Sequence, residues 1–191
     1  FFKNIFSVPA GAILTFYKNK IHIKKYWKLQ DNYSKKFSRL SEKDIEEKTF
    51  NLLESIFNEH LISDVPVGLC LSSGSDSRIL LNFLEKFNLN SFESFTYGFN
   101  ENKYDEIRKI NNINPKIKKN SLILTSDDLI HDLEESINMF EEPIGGVGTL
   151  GLYKVMKLAK KKKIPVVLSG EGADEAFCGY KYYYYYYLWE L

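Results

Sequence analysis

Residues Val67 to Leu81 read VGLCLSSGSDSRILL, and the chain is organised around them. The run Val67-Gly68-Leu69-Cys70-Leu71 stops abruptly at Ser72-Ser73-Gly74-Ser75-Asp76-Ser77. Apolar residues then recur at Ile79, Leu80, Phe83, Leu84 and Phe87, the spacing of an amphipathic helix. A short apolar run closed by a Gly/Ser turn predicts a buried strand. Strand, small-residue turn and helix N-terminus together make an anion site, because first-turn N–H groups have no intrahelical acceptor and stand at the positive end of the dipole. The Ser hydroxyls add donors, and Asp76 can hold Mg²⁺ against phosphate oxygens. The competing reading is a plain helix cap made by Ser75 or Asp76, and one such turn does not decide between them.

A second turn does. Ile164-Pro165-Val166-Val167-Leu168 is another strand-like run, and it ends in Ser169-Gly170-Glu171-Gly172-Ala173-Asp174-Glu175. In a parallel sheet both turns lie at the carboxyl ends of strands, where open α/β sheets bind ligands. Two acidic turns converging on one gap point to a nucleotide held with a metal, and Asp76 and Asp174 are the natural metal pair. The expected fold is α/β, a parallel sheet with helices on both faces, preceded by a β-hairpin.

These residues carry a family resemblance. Ser63-Asp64-Val65-Pro66-Val67-Gly68, SSGSDS, FTYGF (Phe95 to Phe99), YDE (Tyr104 to Glu106), EEP (Glu141 to Pro143) and LSGEGADEAFCGY (Leu168 to Tyr180) occur in one order. Together they resemble the synthetase domain of glutamine-hydrolysing asparagine synthetase, over most of the chain. The last motif is the most specific. The Ser/Gly turn is weaker, because the wider ATP-pyrophosphatase group shares its SGGxDS form.

The resemblance implies a Rossmann-like adenine-nucleotide domain and an adenylation mechanism using ATP and Mg²⁺. The β-carboxylate of aspartate attacks the α-phosphate, pyrophosphate leaves, and ammonia displaces AMP. It implies that Ser72, Ser73, Gly74, Asp76 and Ser77 hold the pyrophosphate. Leu71, Tyr97, Ser169 and Gly170 line the nucleotide, Asp76 and Asp174 bind Mg²⁺, and Glu171 faces the adenylate. Two departures stand against it: Ser73 occupies a usual Gly, and Arg78 a usual second Ser. A Ser forced to positive φ costs about 1 kcal/mol. The loop GGVGTL (Gly145 to Leu150) also departs from the usual form. Two further readings therefore stay open, an amidotransferase acting on a polysaccharide or peptide carboxylate and a non-catalytic nucleotide-binding remnant.

The wider composition sets ordinary bounds. One hundred and ninety-one residues suit a single α/β domain, and a net charge of +1 gives no reason to expect nucleic acid. No apolar run is long enough to span a bilayer. Cys70 and Cys178 have no metal-ligand spacing and are expected to pack as small apolar residues in a reducing cytoplasm. His22, His60 and His131 are scattered.

At the start, Ala12 to Tyr17 and Ile21 to Trp27 are strand-like and joined by Lys18-Asn19-Lys20, a hairpin. Residues 1–30 resemble the tail of the family's glutaminase domain, with 31–43 a linker and 44–191 the synthetase domain, cut short at its C-terminus. The family's glutaminase nucleophile is an N-terminal Cys, and position 1 is Phe. Nitrogen is therefore expected as ammonia, with the glutaminase domain missing from this chain.

Ser41 to Asp44 has the form of a capping box, and Ile45, Leu52, Leu53, Ile56, Phe57 and Leu61 follow at helical spacing. Further expected elements are a strand at Phe92 to Phe99, a short helix at Lys103 to Ile110 and a strand at Lys118 to Leu124. A helix at Ser126 to Phe140 is expected to open at Ser126 and Asp127, and a later one to be capped by Thr149. That later helix ends in the basic run Lys157 to Lys163, read as a solvated end. Tyr182 to Tyr187 make the final helix aromatic all round, a surface that needs a partner, and a homodimer is one way to cover it.

Overall fold

The computed structural model describes residues 2–29, 39–87, 92–100, 106–141 and 143–190. The chain forms two compact units, Phe1–Ser55 and Ile56–Leu191. In the first, β1 (Ala12–Tyr17) and β2 (Lys20–Lys25) pair antiparallel, from Ala12 opposite Lys25 to Tyr17 opposite Lys20. Lys18 and Asn19 both take left-handed φ, 48° and 59°, which matches the twist of a two-residue hairpin turn. The second strand thus starts one residue earlier than the sequence suggests and stops before Tyr26 and Trp27.

Helix α1 (Glu42–His60) opens on the expected capping box. Ser41 Oγ accepts the Asp44 N–H at 3.2 Å, and Asp44 Oδ2 accepts the Ser41 N–H at 3.3 Å. The boundary between the two units falls inside this helix, between Ser55 and Ile56. Its C-terminal turn belongs to the second unit, where Phe57 stacks on Phe83 with ring centroids 4.5 Å apart. The apolar stripe read along α1 is not a buried stripe. Ile45, Leu52 and Ile56 are exposed, and among its described residues Phe57 alone is buried.

The second unit is built on a parallel sheet of β3 (Val67–Cys70), β4 (Glu93–Phe99), β5 (Lys118–Leu124) and β6 (Val166–Leu168), in the order β5-β4-β3-β6. Side chains of a strand alternate between its faces, and the core divides accordingly. Leu69 and Leu71 pack with Leu81 and Leu84 of α2 (Ser75–Lys86) and with Ile110 of α3 (Glu106–Asn111). Cys70, Phe95, Tyr97, Leu122 and Val167 pack with Val155 and Ala159 of α5 (Val147–Lys161). Helices thus cover both faces, as an apolar strand run requires. The buried stripe of α2 differs from the expected one at a single place. Ile79 is exposed and Leu81 is the buried residue.

Local caps differ from expectation in two places. Helix α4 (Ser126–Phe140) is capped by Thr125, whose Oγ1 accepts the Asp128 N–H at 3.2 Å while Asp128 closes the box. Ser126 and Asp127 lie inside the first turn, because the residue that caps must keep extended backbone and Thr125 does so at φ −106°. Helix α5 starts at Val147, with Gly146 at φ 131° as N-cap, so Thr149 sits within the helix rather than capping it. The expected helix at Lys103 to Ile110 is α3, whose described part begins at Glu106. Tyr104, Asp105 and Glu142 lie outside the described residues. Lys157 in the basic run pairs with Glu135 of α4 at 2.7 Å.

The last elements are α6 (Ala173–Phe177) and α7 (Lys181–Glu190). Tyr184 to Tyr187 and Trp189 are exposed on α7. Among the described residues, no helix is long and apolar enough to cross a membrane.

Leu69 has no exposed surface and sits at the centre of the α2/α3 face. Leu69→Ala should destabilise the second unit by about 2–5 kcal/mol, read as a shift of its urea unfolding midpoint.

Candidate functional site

The chain runs from β3 outward to β4 and β5, then returns to add β6 on the other side of β3. That reversal is a topological switch point, and the crevice beyond the carboxyl ends of such strands is where α/β sheets take ligands. Leu69 pairs with Leu168 across it. The residues that follow each strand, Ser72 to Ser77 and Ser169 to Asp174, therefore leave the sheet side by side. They meet closely: a Cβ added to Gly170 would fall 3.0 Å from Asp76 Cβ and 3.3 Å from the Ser77 nitrogen. A side chain at 170 would press on Asp76 and the Ser77 backbone, which would have to give way.

A cleft of about 680 Å³ opens at this junction. It gathers Leu71, Ser72, Gly74, Asp76, Ser77, Tyr97, Ser169, Gly170, Glu171 and Asp174. Of the residues singled out from sequence, Ser73 alone is not on its wall.

The first turn is held by its own hydroxyls. Ser77 Oγ accepts the Ser72 N–H at 3.1 Å and lies 3.0 Å from the Ser72 carbonyl, to which it donates. Ser72 Oγ accepts the Gly74 N–H at 3.2 Å. The base of the turn is tied to β4, where Thr96 Oγ1 donates to the Leu71 carbonyl at 2.6 Å and the Leu71 N–H reaches the Phe95 carbonyl at 3.0 Å. The N-cap of α2 is Gly74 and no side chain caps it, so neither Ser75 nor Asp76 acts as the cap. Among the described residues, no side-chain cap takes up the first-turn donors of α2.

Ser73 answers the concern raised by its replacing a usual Gly. Its φ is not in the left-handed region, so no strain attends the side chain there. Its donors turn instead to Glu106: the N–H reaches Oε2 at 2.6 Å and the hydroxyl Oε1 at 2.9 Å. Burial raises the Glu106 pKa, but these two bonds and Lys109 outweigh it and hold the carboxyl below the usual range. Glu106 was not among the residues singled out, although it is the described end of the YDE motif. Its partner lies 33 positions away, and only that separation hid it.

Tyr97 fills the wall opposite. Its ring runs beneath the first turns of α5, so close that a Cβ on Gly151 would meet it at 2.6 Å, with Gly148 beside its hydroxyl. Gly151, the last glycine of GVGTLG, thus makes room for this ring, a signal present in the sequence but readable only with the partner known. Burial, then the charges of Glu171 and Glu106, raise the Tyr97 phenol pKa.

In the second turn, Gly172 takes φ 89° as N-cap of α6. Asp174 lies against Gly179, whose N–H bonds the Asp174 carbonyl at 2.9 Å. Tyr180 donates to Glu175 at 2.7 Å, and that bond pushes its phenol up to about 12. Both line the cleft, and neither was picked out from sequence. Cys178 does not pack as a small apolar residue. It is exposed, at φ 56° in the C-cap of α6, because the chain turns left-handed there to bring Gly179 back over Asp174.

A parallel α/β sheet with two acidic, small-residue turns meeting at its switch point places a cleft where open α/β sheets take ligands. The sequence profile of the asparagine synthase family matches residues 49–190, and the chain belongs to that family. It is 34% identical over 186 residues to a Methanocaldococcus jannaschii protein assigned to the glutamine-hydrolysing asparagine synthetases, covering 94% of this chain and 35% of that protein. It is 35% identical over 128 residues to asparagine synthetase 1 of Bacillus subtilis, covering 66% of this chain and 20% of the relative. Asparagine synthetase B of Escherichia coli is 26% identical over 153 residues, covering 69% of this chain and 26% of the relative. The chain thus spans about a third or less of the length of these relatives.

Cys70 lines the cleft, and burial and the nearby Glu171 carboxylate push its thiol up to about 11. At pH 8 only about one such thiol in a thousand is thiolate, the reactive form. Iodoacetamide at pH 8 should therefore modify Cys178 and spare Cys70, as peptide mass mapping will read. Glu171→Gln removes a charge that raises this pKa and should speed Cys70 labelling.

Proposed function

We propose that this chain supplies the ATP-dependent half of an amide ligase that makes asparagine from aspartate, releasing AMP and pyrophosphate in the cytoplasm. The observation that carries this reading is the contact of Gly170 with Asp76, which joins the two acidic turns into one site. The family membership and the names of the relatives support the choice of reaction.

In this reading Ser72, Gly74 and Ser77, with the first-turn N–H groups of α2, hold the pyrophosphate portion of ATP. Leu71, Tyr97, Ser169 and Gly170 line the rest of the nucleotide. An oxygen of the aspartate β-carboxylate bonds to the α-phosphorus as the bond to the bridging oxygen breaks, and pyrophosphate carries away the electron pair. The ammonia nitrogen then attacks the activated carbonyl, AMP departs with its oxygen, and the nitrogen gives up a proton. Glu171 faces that centre. Such chemistry depends mostly on positioning and on neutralising charge.

Asp76 and Asp174 suit Mg²⁺, being hard oxygen donors from the two turns that share one cleft. Among the described residues, no group of three or more acidic, His or Cys side chains gathers as a metal cage. Mg²⁺ takes one or two carboxylates and completes its shell with phosphate oxygens and water. When bound, the ion neutralises charge on the phosphates.

Residues 1–30 belong with a glutaminase module in this reading, 31–43 connect it, and 44–191 form the synthetase domain. In the same reading, nitrogen reaches the site as ammonia. The exposed aromatic face of α7 suits pairing with a second copy.

Incubation of the chain, and of the longest reading frame containing it, with MgATP, aspartate and ammonium should yield equimolar AMP and pyrophosphate only when aspartate is present. Asp76→Ala and Asp174→Ala should each weaken Mg²⁺-dependent ATP binding by about tenfold or more. AMP formation driven by a different carboxylate would move the acceptor to a polysaccharide or peptide. ATP binding with no AMP from either protein would leave a nucleotide-binding remnant.

A further inference from the structure

The cleft carries charge of mostly one sign. Asp76, Glu106, Glu171, Asp174 and Glu175 line it, and among its described lining residues Lys109 is the single cationic side chain. A nucleoside triphosphate adds several negative charges to these. A divalent cation on Asp76 and Asp174 offsets part of them, and phosphates beyond its reach need another cation.

Lys109 is placed to supply it. Its Nζ donates to Glu106 Oε1 at 3.2 Å, and the same oxygen accepts from Ser73 Oγ at 2.9 Å. The ammonium therefore sits one carboxylate oxygen away from the anion turn. Glu106 also accepts the Ser73 N–H, so two bonds to Ser73 keep its charge paired when Lys109 swings away. The lysine side chain is half exposed, at 50%, and a solvated pair of this kind opens at little cost. Its ammonium is a point charge on a flexible stem, which meets phosphate oxygens without a fixed approach.

We propose that Lys109 binds the terminal phosphates of the nucleoside triphosphate, and that Glu106 is the positioning residue that holds Lys109 and the Ser73 peptide at the edge of the turn. The inference rests on the ATP reading above. It also changes the part given to Ser73, whose N–H and hydroxyl are engaged by Glu106 and act through it rather than on phosphate.

Equilibrium binding of ATP, pyrophosphate and AMP to the wild-type chain and to Lys109→Met tests the first half. Loss of one charge-assisted contact should weaken ATP and pyrophosphate about tenfold, leave AMP unchanged, and be largely restored in Lys109→Arg. Equal weakening of AMP and ATP, or no weakening of either, overturns the role of Lys109 while the wild-type protein still binds ATP. A wild-type protein that binds neither ATP nor pyrophosphate overturns the nucleotide reading and this inference together. For Glu106→Gln, steady-state AMP formation should show a raised KM for ATP with kcat within about twofold. A fall in kcat at unchanged KM overturns the positioning role. If that variant does not fold, Ser73→Ala, which removes the hydroxyl bond alone, should shift KM in the same direction by less.

Discussion

The placement of β3 between β4 and β6 is the constraint on which the rest of the site depends. Its backbone must satisfy hydrogen bonds on both sides, with Cys70 opposite Phe95 and Leu69 opposite Leu168. A slip of one residue would turn Leu69 and Leu71 from the α2/α3 face to the α5 face and break both core clusters. With the register held, the serine turn and the acidic turn leave the sheet on adjacent strands. Gly170 can then lie against Asp76, because nothing but a hydrogen stands where a side chain would press on Asp76 and the Ser77 backbone.

Around that junction the polar groups are tied to one another. Ser72 and Ser77 bond each other and the turn backbone, and Thr96 ties the end of β3 to the neighbouring strand. Glu106 takes up both donors of Ser73. Tyr97 is seated under α5 where Gly151 has no side chain. On the proposed reading, groups held in this way need little reorganisation as charge develops on a phosphate, which is where preorganised sites gain most. The same reading makes the acidic bias of the cleft intelligible, since carboxylates that repel a bare nucleotide favour one that arrives with a cation.

The family relation and the geometry explain different things. Family membership accounts for the order of the motifs along residues 49–190. The geometry accounts for what is particular to this chain. A Ser at position 73 is tolerated because its backbone is ordinary and its hydroxyl bonds the Glu106 carboxylate.

Much of this was legible in the residues. The apolar runs Val67 to Leu71 and Ile164 to Leu168, each broken by small and acidic residues, determined two strand–turn–helix modules, because strand, turn and helix signals act over a few neighbouring positions. The Ser41–Asp44 box and the hairpin turn at Lys18-Asn19 were local in the same way. Near misses such as Thr125 for Ser126, or Gly146 for Thr149, came from backbone angles that several adjacent residues could have adopted. Only the tertiary structure decided the strand order, the contact of Gly170 with Asp76, the seating of Tyr97 on Gly151 and the hold of Glu106 on Ser73. Each joins residues far apart in the chain, and their meeting depends on how the sheet is ordered and packed rather than on any pattern within reach of one turn of backbone.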